Sequence, residues 1–247
     1  MSARRCLVFG GSGTLGRAVC EALDDAGAEV FFTYLTGEKV AESLRARSPR
    51  LHPLKVDLRR VEDVERAVDA AVAELGSLDA FVHCAGIGFT APRAPNAAQE
   101  SIGETDEEAW DRLFAINVKS AFFACRRVVP VMAQQKNGEI VLIGSIDGVK
   151  PVPAPVHYGA SKGALAGMVR TLSKELGPNN VRVNLVAPGV LEGGISATLP
   201  EDLKKEYLKH CGLKRFGRPA EIASIVAWLS TRNTYVTGQT ILLDGAL

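Results

Sequence analysis

Residues 4–19 read RRCLVFGGSGTLGRAV, and this stretch decides the fold class. The apolar run at residues 6–9 is typical of a buried strand, and an apolar repeat at helical spacing follows the glycines. Gly11, Gly13 and Gly16 spell G-x-G-x-x-G, whose glycines permit a tight turn, a close approach to a pyrophosphate and close helix–strand packing. The alternative is a flexible surface turn, but the flanking strand and helix favour a dinucleotide site.

The rest of the chain alternates strand-like and helix-like segments. Apolar runs predict further strands at residues 29–33, 51–56, 79–82, 139–143, 181–186 and 240–243. Helical spacing predicts helices at residues 38–47, 61–75, 106–135, 158–176, 201–209 and 220–229. This repeated βαβ pattern predicts an α/β fold, a single doubly wound (Rossmann) parallel sheet of about seven strands with helices on both faces. We expect one domain over residues 1–247, because no linker or repeat interrupts the pattern.

Ligands of doubly wound sheets bind beyond the carboxyl ends of the strands. Four predicted loops leave those ends, at residues 10–16, 84–88, 144–150 and 188–198. We expect these loops to surround one crevice.

Composition narrows the possible partners. The net charge is +1, so no overall field favours nucleic acid or a membrane surface. The five cysteines are scattered without a C-x-x-C pair, which predicts neither a metal site nor a disulfide framework. The first strand begins too early for a signal peptide, and no apolar stretch is long enough to span a bilayer. We therefore expect a cytoplasmic protein.

The segment VHYGASKGAL places Tyr158 and Lys162 four positions apart, on one face of a predicted helix. Tyrosine is a poor base because its pKa is about 10, and an adjacent ammonium is expected to lower that pKa. The pair could therefore deliver or remove a proton near neutral pH. Ser145 follows a predicted strand, so its hydroxyl could bind a substrate oxygen beside the tyrosine.

These residues stand in a characteristic order with Asn117-Val118, Pro188-Gly189 and the terminal TGQTILLDGA. In that order the chain resembles the short-chain dehydrogenase/reductase family over essentially its whole length, and within it the 3-oxoacyl-(acyl carrier protein) reductase-like subgroup. The resemblance implies that Tyr158 is the general acid/base and that Ser145 orients the carbonyl. It also implies that Lys162 binds the nicotinamide ribose and lowers the tyrosine pKa, while Asn117 helps to hold a proton-relaying water.

A cofactor site is implied by the same resemblance, with Asp57 contacting the adenine amine. The implied residues are Gly10, Ser12, Gly13, Thr14, Leu15, Gly16, Tyr34, Asp57, Leu58, Cys84, Ala85, Gly86, Tyr158, Lys162, Pro188, Gly189 and Val190.

Three positions depart from the family pattern. Thr14 replaces the middle glycine of T-G-x-x-x-G-x-G, and we expect Gly13 to supply the flexibility one position earlier. The N-N-A-G motif begins with His83 here, which either makes a hydrogen bond in the site or only braces the fourth strand. Gly193 replaces the threonine that often follows Pro-Gly, which would remove one contact to the nicotinamide amide.

The end of the second predicted strand reads TYLT, residues 33–36, without a carboxylate to select NAD through the ribose 2′-hydroxyl. A 2′-phosphate is not repelled there, so we expect NADP, with NAD as the other possibility. Lys39 or Arg17 could contact the phosphate, although both are equally typical of a solvated surface.

These observations predict an NADP-dependent oxidoreductase that reduces a small or carrier-bound ketone, such as a 3-oxoacyl thioester, to a secondary alcohol. Two alternatives stay open: an NAD-dependent alcohol or sugar dehydrogenase with the same residues, and a non-catalytic nucleotide-binding regulator. A serine hydrolase is excluded because no G-x-S-x-G motif surrounds Ser145.

Several further expectations concern the surface. The long connection at residues 87–105 is either an excursion or a lid over the substrate entrance, with Phe89 packing inward and Arg93 meeting an acidic group. The apolar end TILLDGAL and the family resemblance predict a homo-oligomer, a tetramer or a dimer. Trp110 and Trp228 are expected in the core or an interface.

Overall fold

A computed structural model describes residues 3–88 and 101–247, and seven strands within them form one sheet. Their order is β3-β2-β1-β4-β5-β6-β7, and every pair is parallel. The predicted α/β doubly wound sheet of seven strands is confirmed. The strands are β1 (Arg5–Phe9), β2 (Glu29–Tyr34), β3 (Leu51–Lys55), β4 (Ala80–His83), β5 (Gly138–Ile143), β6 (Val181–Pro188) and β7 (Thr240–Leu243).

Helices cover both faces of the sheet. They are α1 (Thr14–Asp25), α2 (Glu38–Arg47), α3 (Val61–Leu75), α4 (Glu107–Phe114), α5 (Ser120–Gln135), α6 (Val156–Leu176), α7 (Glu201–His210) and α8 (Pro219–Arg232). One apolar cluster joins α1 and α8 to the sheet, and a second joins α3, α5 and α6 to the opposite face. The central strands are buried on both sides, which explains why they read as continuous apolar runs.

The strand order reverses at β1, and the functional crevice of such sheets lies at this switch point. Phe9 at the end of β1 is in register with His83 at the end of β4. Gly10 and Cys84 therefore leave the sheet side by side, and the backbone N–H of Cys84 donates to the carbonyl of Phe9 at 3.0 Å. At the edge, β3 tolerates Pro53 because one side of an edge strand needs no backbone donor.

The helix predicted over residues 106–135 is interrupted. A π turn, Ala115–Lys119, separates α4 from α5. Because the apolar period continues through this turn, the sequence pattern did not indicate the break. Such turns occur often at functional sites, and this one carries the fully buried Asn117.

His83 braces β4 against this interruption. Its Nε2 lies 2.7 Å from Oγ of Ser120, and that hydroxyl donates to the carbonyl of Ile116 at 2.6 Å. Burial lowers the pKa of His83 to about 3, so the ring is neutral at physiological pH. The structure supports the bracing role rather than a role in the site.

Both tryptophans lie at the surface, which contradicts a place in the core. Trp110 stacks on Phe114 with ring centroids 4.2 Å apart and is 41% exposed, and Trp228 is 43% exposed.

The expectations for Phe89 and Arg93, in the connection at residues 87–105, lie outside the described residues. At the described end of this connection, Ser101 and Glu104 form a capping box around a 3₁₀ turn. None of the helices in the described ranges is long and apolar enough to cross a membrane.

Candidate active site

The glycine loop after β1 brings three backbones into close contact. A Cβ added at Gly16 would lie 2.0 Å from the carbonyl oxygen of Gly10, and one at Gly10 would lie 2.7 Å from Cα of Ala85. Gly10 also has a φ of +82°, which favours glycine. These contacts let α1 begin at Thr14, directly beyond the end of β1.

Gly13 does not supply the backbone flexibility that was expected of it. Its φ of −70° and ψ of 163° are accessible to any residue, so the loop does not use its flexibility. A Cβ there would contact the carbonyl oxygen of Gly10 at an ordinary 3.4 Å. The expectation that Gly13 compensates for Thr14 through flexibility is therefore wrong, because positive φ is needed at Gly10 instead.

The four loops expected to surround one crevice do line one cavity, of about 770 Å³. Twelve of the predicted site residues lie on its wall: Gly13, Thr14, Leu15, Gly16, Cys84, Gly86, Ser145, Tyr158, Lys162, Pro188, Gly189 and Val190. The others stand behind the wall or to one side: Gly10, Ser12, Tyr34, Asp57, Leu58, Ala85 and Asn117. The crevice therefore runs from the N-terminus of α1 to Ser145 and Tyr158.

Beside this cavity, the ends of β2 and β3 form a second region. The backbone N–H of Val56 donates to the carbonyl of Tyr34 at 2.8 Å, and Oγ of Ser12 donates to the carbonyl of Thr36 at 2.7 Å. Arg59 binds both oxygens of Asp57, with Nε at 2.9 and 3.0 Å. This ion pair holds the pKa of Asp57 below its usual range.

Neither basic residue proposed for a 2′-phosphate is distinguished by its contacts. Arg17 is engaged by Glu21, with Nε to Oε1 at 2.9 Å, on the exposed face of α1. Lys39 lies on the exposed side of α2. Arg59 is a third cation near this region, and sequence reasoning missed it because it lies beyond the next strand, β3.

Tyr158 and Lys162 share one buried face of α6, as predicted. Nζ of Lys162 lies 5.8 Å from the centre of the Tyr158 ring and donates to the carbonyl of Ile143 at 3.1 Å. Ser145 enters from the end of β5 and shares a hydrogen bond with Tyr158. The structure thus brings the three polar residues together at the cavity wall.

Asn117 stands behind Lys162 and ties the loop after β4 in place. Its Nδ2 donates to the carbonyl of Ile87 and to Oγ of Ser161, both at 3.1 Å, and its Oδ1 accepts from the N–H of Ile87 at 2.9 Å. Both amide protons are used, so the side chain has no donor left for a relaying water. A Cβ at Gly86 would touch both Oδ1 of Asn117 and Nζ of Lys162, at 3.5 and 3.4 Å.

The pKa values of the buried pair contradict one expectation. Burial, strengthened by the nearby carboxylate of Asp147, raises the pKa of Tyr158 well above its ordinary value, although the Ser145 hydrogen bond opposes this. Burial also lowers the pKa of Lys162 to about 8. The prediction of a lowered tyrosine pKa is wrong for this structure, because removal of the phenolate from water raises that pKa. The phenol therefore keeps its proton at neutral pH.

Close packing fixes the turn that carries Ser145. The 3₁₀ turn Ile146–Gly148 lies against α6 so tightly that a Cβ at Gly148 would be 2.5 Å from the carbonyl carbon of Lys162. On the helix side, a Cβ at Gly159 would be 3.1 Å from the carbonyl oxygen of Asp147. Glycines on both sides therefore set the distance between Ser145 and the Tyr158 face.

Comparisons with known proteins agree with this geometry. A family model described as enoyl-(acyl carrier protein) reductase matches residues 11–247. The 3-oxoacyl-[acyl-carrier-protein] reductase FabG of Thermotoga maritima is 33% identical over 98% of this chain and 96% of its own length. A short-chain dehydrogenase/reductase from Brucella melitensis, titled a glucose/ribitol dehydrogenase, is 32% identical with a TM-score of 0.85, over 98% of this chain and 95% of that one. The chain belongs to the short-chain dehydrogenase/reductase family.

A second solved structure comes from the same organism. A 3-oxoacyl-[acyl-carrier protein] reductase of Brucella melitensis is 29% identical with a TM-score of 0.86, over 99% of this chain and 91% of that one. As a short-chain dehydrogenase/reductase, the chain is an NAD(P)-dependent oxidoreductase.

The described residues fit a nicotinamide dinucleotide. The first turn of α1 presents backbone N–H groups to the cavity, as a pyrophosphate requires. From there the wall continues through Cys84 and Gly86 to Lys162 and the loop after β6, which can hold the ribose and the nicotinamide. When bound, such a cofactor supplies or accepts a hydride.

Sequence reasoning missed two contributors to this oxidoreductase site. Tyr207 on α7 accepts from the N–H of Val190 at 3.2 Å and donates to the carbonyl of Asp244 at 3.0 Å, so it braces the loop after β6. Asp147 accepts a hydrogen bond from Oγ of Ser145. The position of Asp147 two residues after Ser145 does not by itself reveal this bond. His157, the neighbour of Tyr158, contacts Thr105, with its Nδ1 3.3 Å from Oγ1.

We expect Gly16→Ala to weaken binding of NADPH and NADH at least about fivefold, because relieving an overpacked contact costs about 1–3 kcal/mol. Fluorescence titration of both nucleotides measures the affinity, and a melting curve shows whether the fold persists. The matched control is Gly167→Ala, where a Cβ on α6 meets nothing within 4 Å. Equal affinities in the two variants would contradict the role given to Gly16.

Proposed function

We propose that this oxidoreductase uses NADPH to reduce a 3-oxoacyl thioester, or a closely related ketone, to a secondary alcohol. The observation that carries the proposal is the protonated, buried phenol of Tyr158 beside Ser145, on the wall of a cavity continuous with the dinucleotide site. A group that keeps its proton at neutral pH suits the donor role that carbonyl reduction requires. The names of the relatives from Thermotoga maritima and Brucella melitensis support the substrate class.

In this proposal each residue has one task. Ser145 donates a hydrogen bond to the carbonyl oxygen of the substrate and so holds that oxygen in place. Tyr158 transfers to the same oxygen the proton that completes the alcohol. Lys162 holds the ribose of the cofactor and, while protonated, stabilises the phenolate that remains. Asn117 is a positioning residue that keeps the loop at Ile87 beside Lys162.

The remaining wall of the cavity favours an acyl chain. Apolar side chains line it beyond Tyr158: Pro151, Val152, Pro153, Ala154, Ile195, Leu199 and Leu203. Hydroxyl groups of a sugar that lay against this apolar part of the wall would lack partners, which is costly. The cavity therefore supports a thioester substrate over the glucose or ribitol named for one structural relative.

The test is cofactor oxidation or reduction across a substrate panel. We expect the N-acetylcysteamine thioester of acetoacetate to oxidise NADPH. Faster reaction with the crotonyl thioester would assign reduction of a carbon–carbon double bond, and oxidation of ribitol with NAD would assign a sugar dehydrogenase. NADPH binding without turnover of any substrate would identify a nucleotide-binding regulator.

We expect Tyr158→Phe to lower kcat for the acetoacetyl thioester by about 10²–10⁴-fold, because it keeps the ring and removes the hydroxyl group that carries the transferable proton. NADPH affinity should be retained. The matched control is Tyr235→Phe, the same change at a side chain that is 93% exposed. A Tyr158→Phe enzyme with more than about half of the wild-type kcat would contradict the assignment.

NADP preference rests on the end of β2, where Tyr34, Leu35 and Thr36 present no carboxylate. We expect Tyr34→Asp to weaken NADPH binding relative to NADH by at least about tenfold, because the new charge repels the 2′-phosphate. Tyr34→Asn is the neutral control, and it should shift the ratio much less. If both variants shift it equally, loss of the tyrosine rather than charge sets the preference.

The wider assignment is a one-domain, cytoplasmic homo-oligomer. Five free cysteines support a reducing compartment. Trp228 on α8 and Leu242 on β7, 43% and 38% exposed, provide apolar surface for a second copy. Light scattering should give two or four times the chain mass of 26.3 kDa, and a monomer mass would contradict this part of the proposal.

A further inference from the structure

Asp147 contacts the residue that would hold the substrate. Oγ of Ser145 donates to Oδ2 of Asp147, and the backbone N–H of Asp147 points back to the same Oγ at 3.4 Å. Asp147 is also one of the residues that line the cavity. The proposed reaction gives Asp147 no task, although it touches the centre of the site.

The hydroxyl of Ser145 has a single proton. A serine hydroxyl offers one donor and two acceptor positions, whereas a carboxylate only accepts. While Asp147 is ionised it takes that one proton, and Ser145 then has none to donate to a carbonyl oxygen, which is itself only an acceptor. When Asp147 is protonated, its own O–H can donate to Oγ, and the proton of Ser145 becomes free for the substrate.

We propose that Asp147 is a positioning residue that controls the direction of the Ser145 proton, so that the enzyme reduces ketones in the form with protonated Asp147. The inference rests on the proposed function, because it assigns Ser145 the carbonyl oxygen. It adds a protonated Asp147 to the groups that the proposed reaction needs, which were Ser145, Tyr158 and Lys162.

The surroundings of Asp147 favour the protonated form. Burial raises the pKa of Asp147 above its ordinary value of 3.8, while the Ser145 hydrogen bond and the charge of Lys162 oppose the rise. Asp147 therefore keeps its proton at pH values above 3.8 and loses it as the pH rises through its raised pKa. Ketone reduction should slow as the pH rises through that pKa. Tyr158 and Lys162 on α6 interact electrostatically with Asp147. The other ionisable groups on the cavity wall are Cys84 after β4, Lys150 on the same loop, Glu192 after β6, Glu206, Tyr207 and His210 on α7, and the C-terminal carboxylate of Leu247.

The first test is the pH profile of acetoacetyl thioester reduction. We expect wild-type kcat/KM to fall about tenfold per pH unit above the pKa of Asp147. Asp147→Asn should lose this decrease and exceed the wild-type rate at higher pH, because its amide can donate to Oγ at every pH. Asp147→Leu should also lose the decrease of kcat/KM at high pH, because leucine neither donates nor accepts a hydrogen bond.

The matched control is Asp69→Asn on α3, which removes the same charge from a carboxylate bound to Arg127, outside the cavity. It should keep the wild-type profile. Were Asp147→Asn and Asp147→Leu to keep it as well, the proposal would be overturned.

A double-mutant cycle tests whether Asp147 acts through Ser145. In a Ser145→Ala background, Asp147→Asn should change kcat/KM less than about twofold, because the proton it controls is gone. An unchanged effect of Asp147→Asn in that background would show that the carboxylate acts on Tyr158 or Lys162 instead, and would overturn the proposal.

A readout without turnover separates this inference from the proposed function. The carboxyl ¹³C resonance of Asp147, assigned by its loss in Asp147→Asn, is titrated in the enzyme without cofactor. We expect a midpoint above the ordinary aspartate value in the wild type, and a still higher midpoint in Ser145→Ala, where the bond that favours the carboxylate is missing. If Ser145→Ala leaves the titration midpoint of Asp147 unchanged, the inference is overturned even if the enzyme reduces ketones. A shifted midpoint in an enzyme that reduces no ketone supports the Ser145–Asp147 coupling and rejects the proposed function.

Discussion

The contact between the first turn of α1 and the loop after β1 is the constraint on which the rest of the site depends. Gly16 touches the carbonyl of Gly10, and Gly10 touches the backbone of Ala85 after β4. Since no side chain separates these backbones, α1 begins directly beyond the end of the strand. The point where the strand order reverses thus opens into a cavity with a helix N-terminus at one end, which is the environment a pyrophosphate needs.

A second close approach, of the turn after β5 to α6, organises the other end of the cavity. Gly148 lies against the backbone of Lys162, so the buried Ser145 and Tyr158 and the half-buried Asp147 are held together. Burial then dominates their electrostatics. It raises the pKa values of Tyr158 and Asp147 and lowers that of Lys162, so each group is moved toward its neutral form. The raised pKa values of Tyr158 and Asp147 favour their protonated forms, which suits the protonation of a developing alkoxide.

Much of the architecture could be predicted because parallel strands buried on both faces must be apolar along their whole length. Strand β7 was predicted to the residue, and β6 differed only in extending to Pro188. The interruption between α4 and α5 could not be predicted, since the apolar residues on both sides of the π turn fit the spacing of one continuous helix. The positions of Trp110 and Trp228 were open for a related reason: an aromatic side chain is equally suited to a core and to an exposed face that a partner could cover.

The sequence by itself determined the order of strands and helices, the loop of glycines and the spacing of Tyr158 and Lys162, because these follow from local periodicity and from residue chemistry. Only the tertiary structure decided which glycine of the loop needs a positive φ. That residue is Gly10 and not Gly13. The tertiary structure also joined Ser145 to Asp147 and reversed the expected pKa shift of Tyr158. The physical reason is that pKa values and hydrogen-bond partners depend on burial and on distances between segments far apart in the chain, which local sequence patterns do not contain.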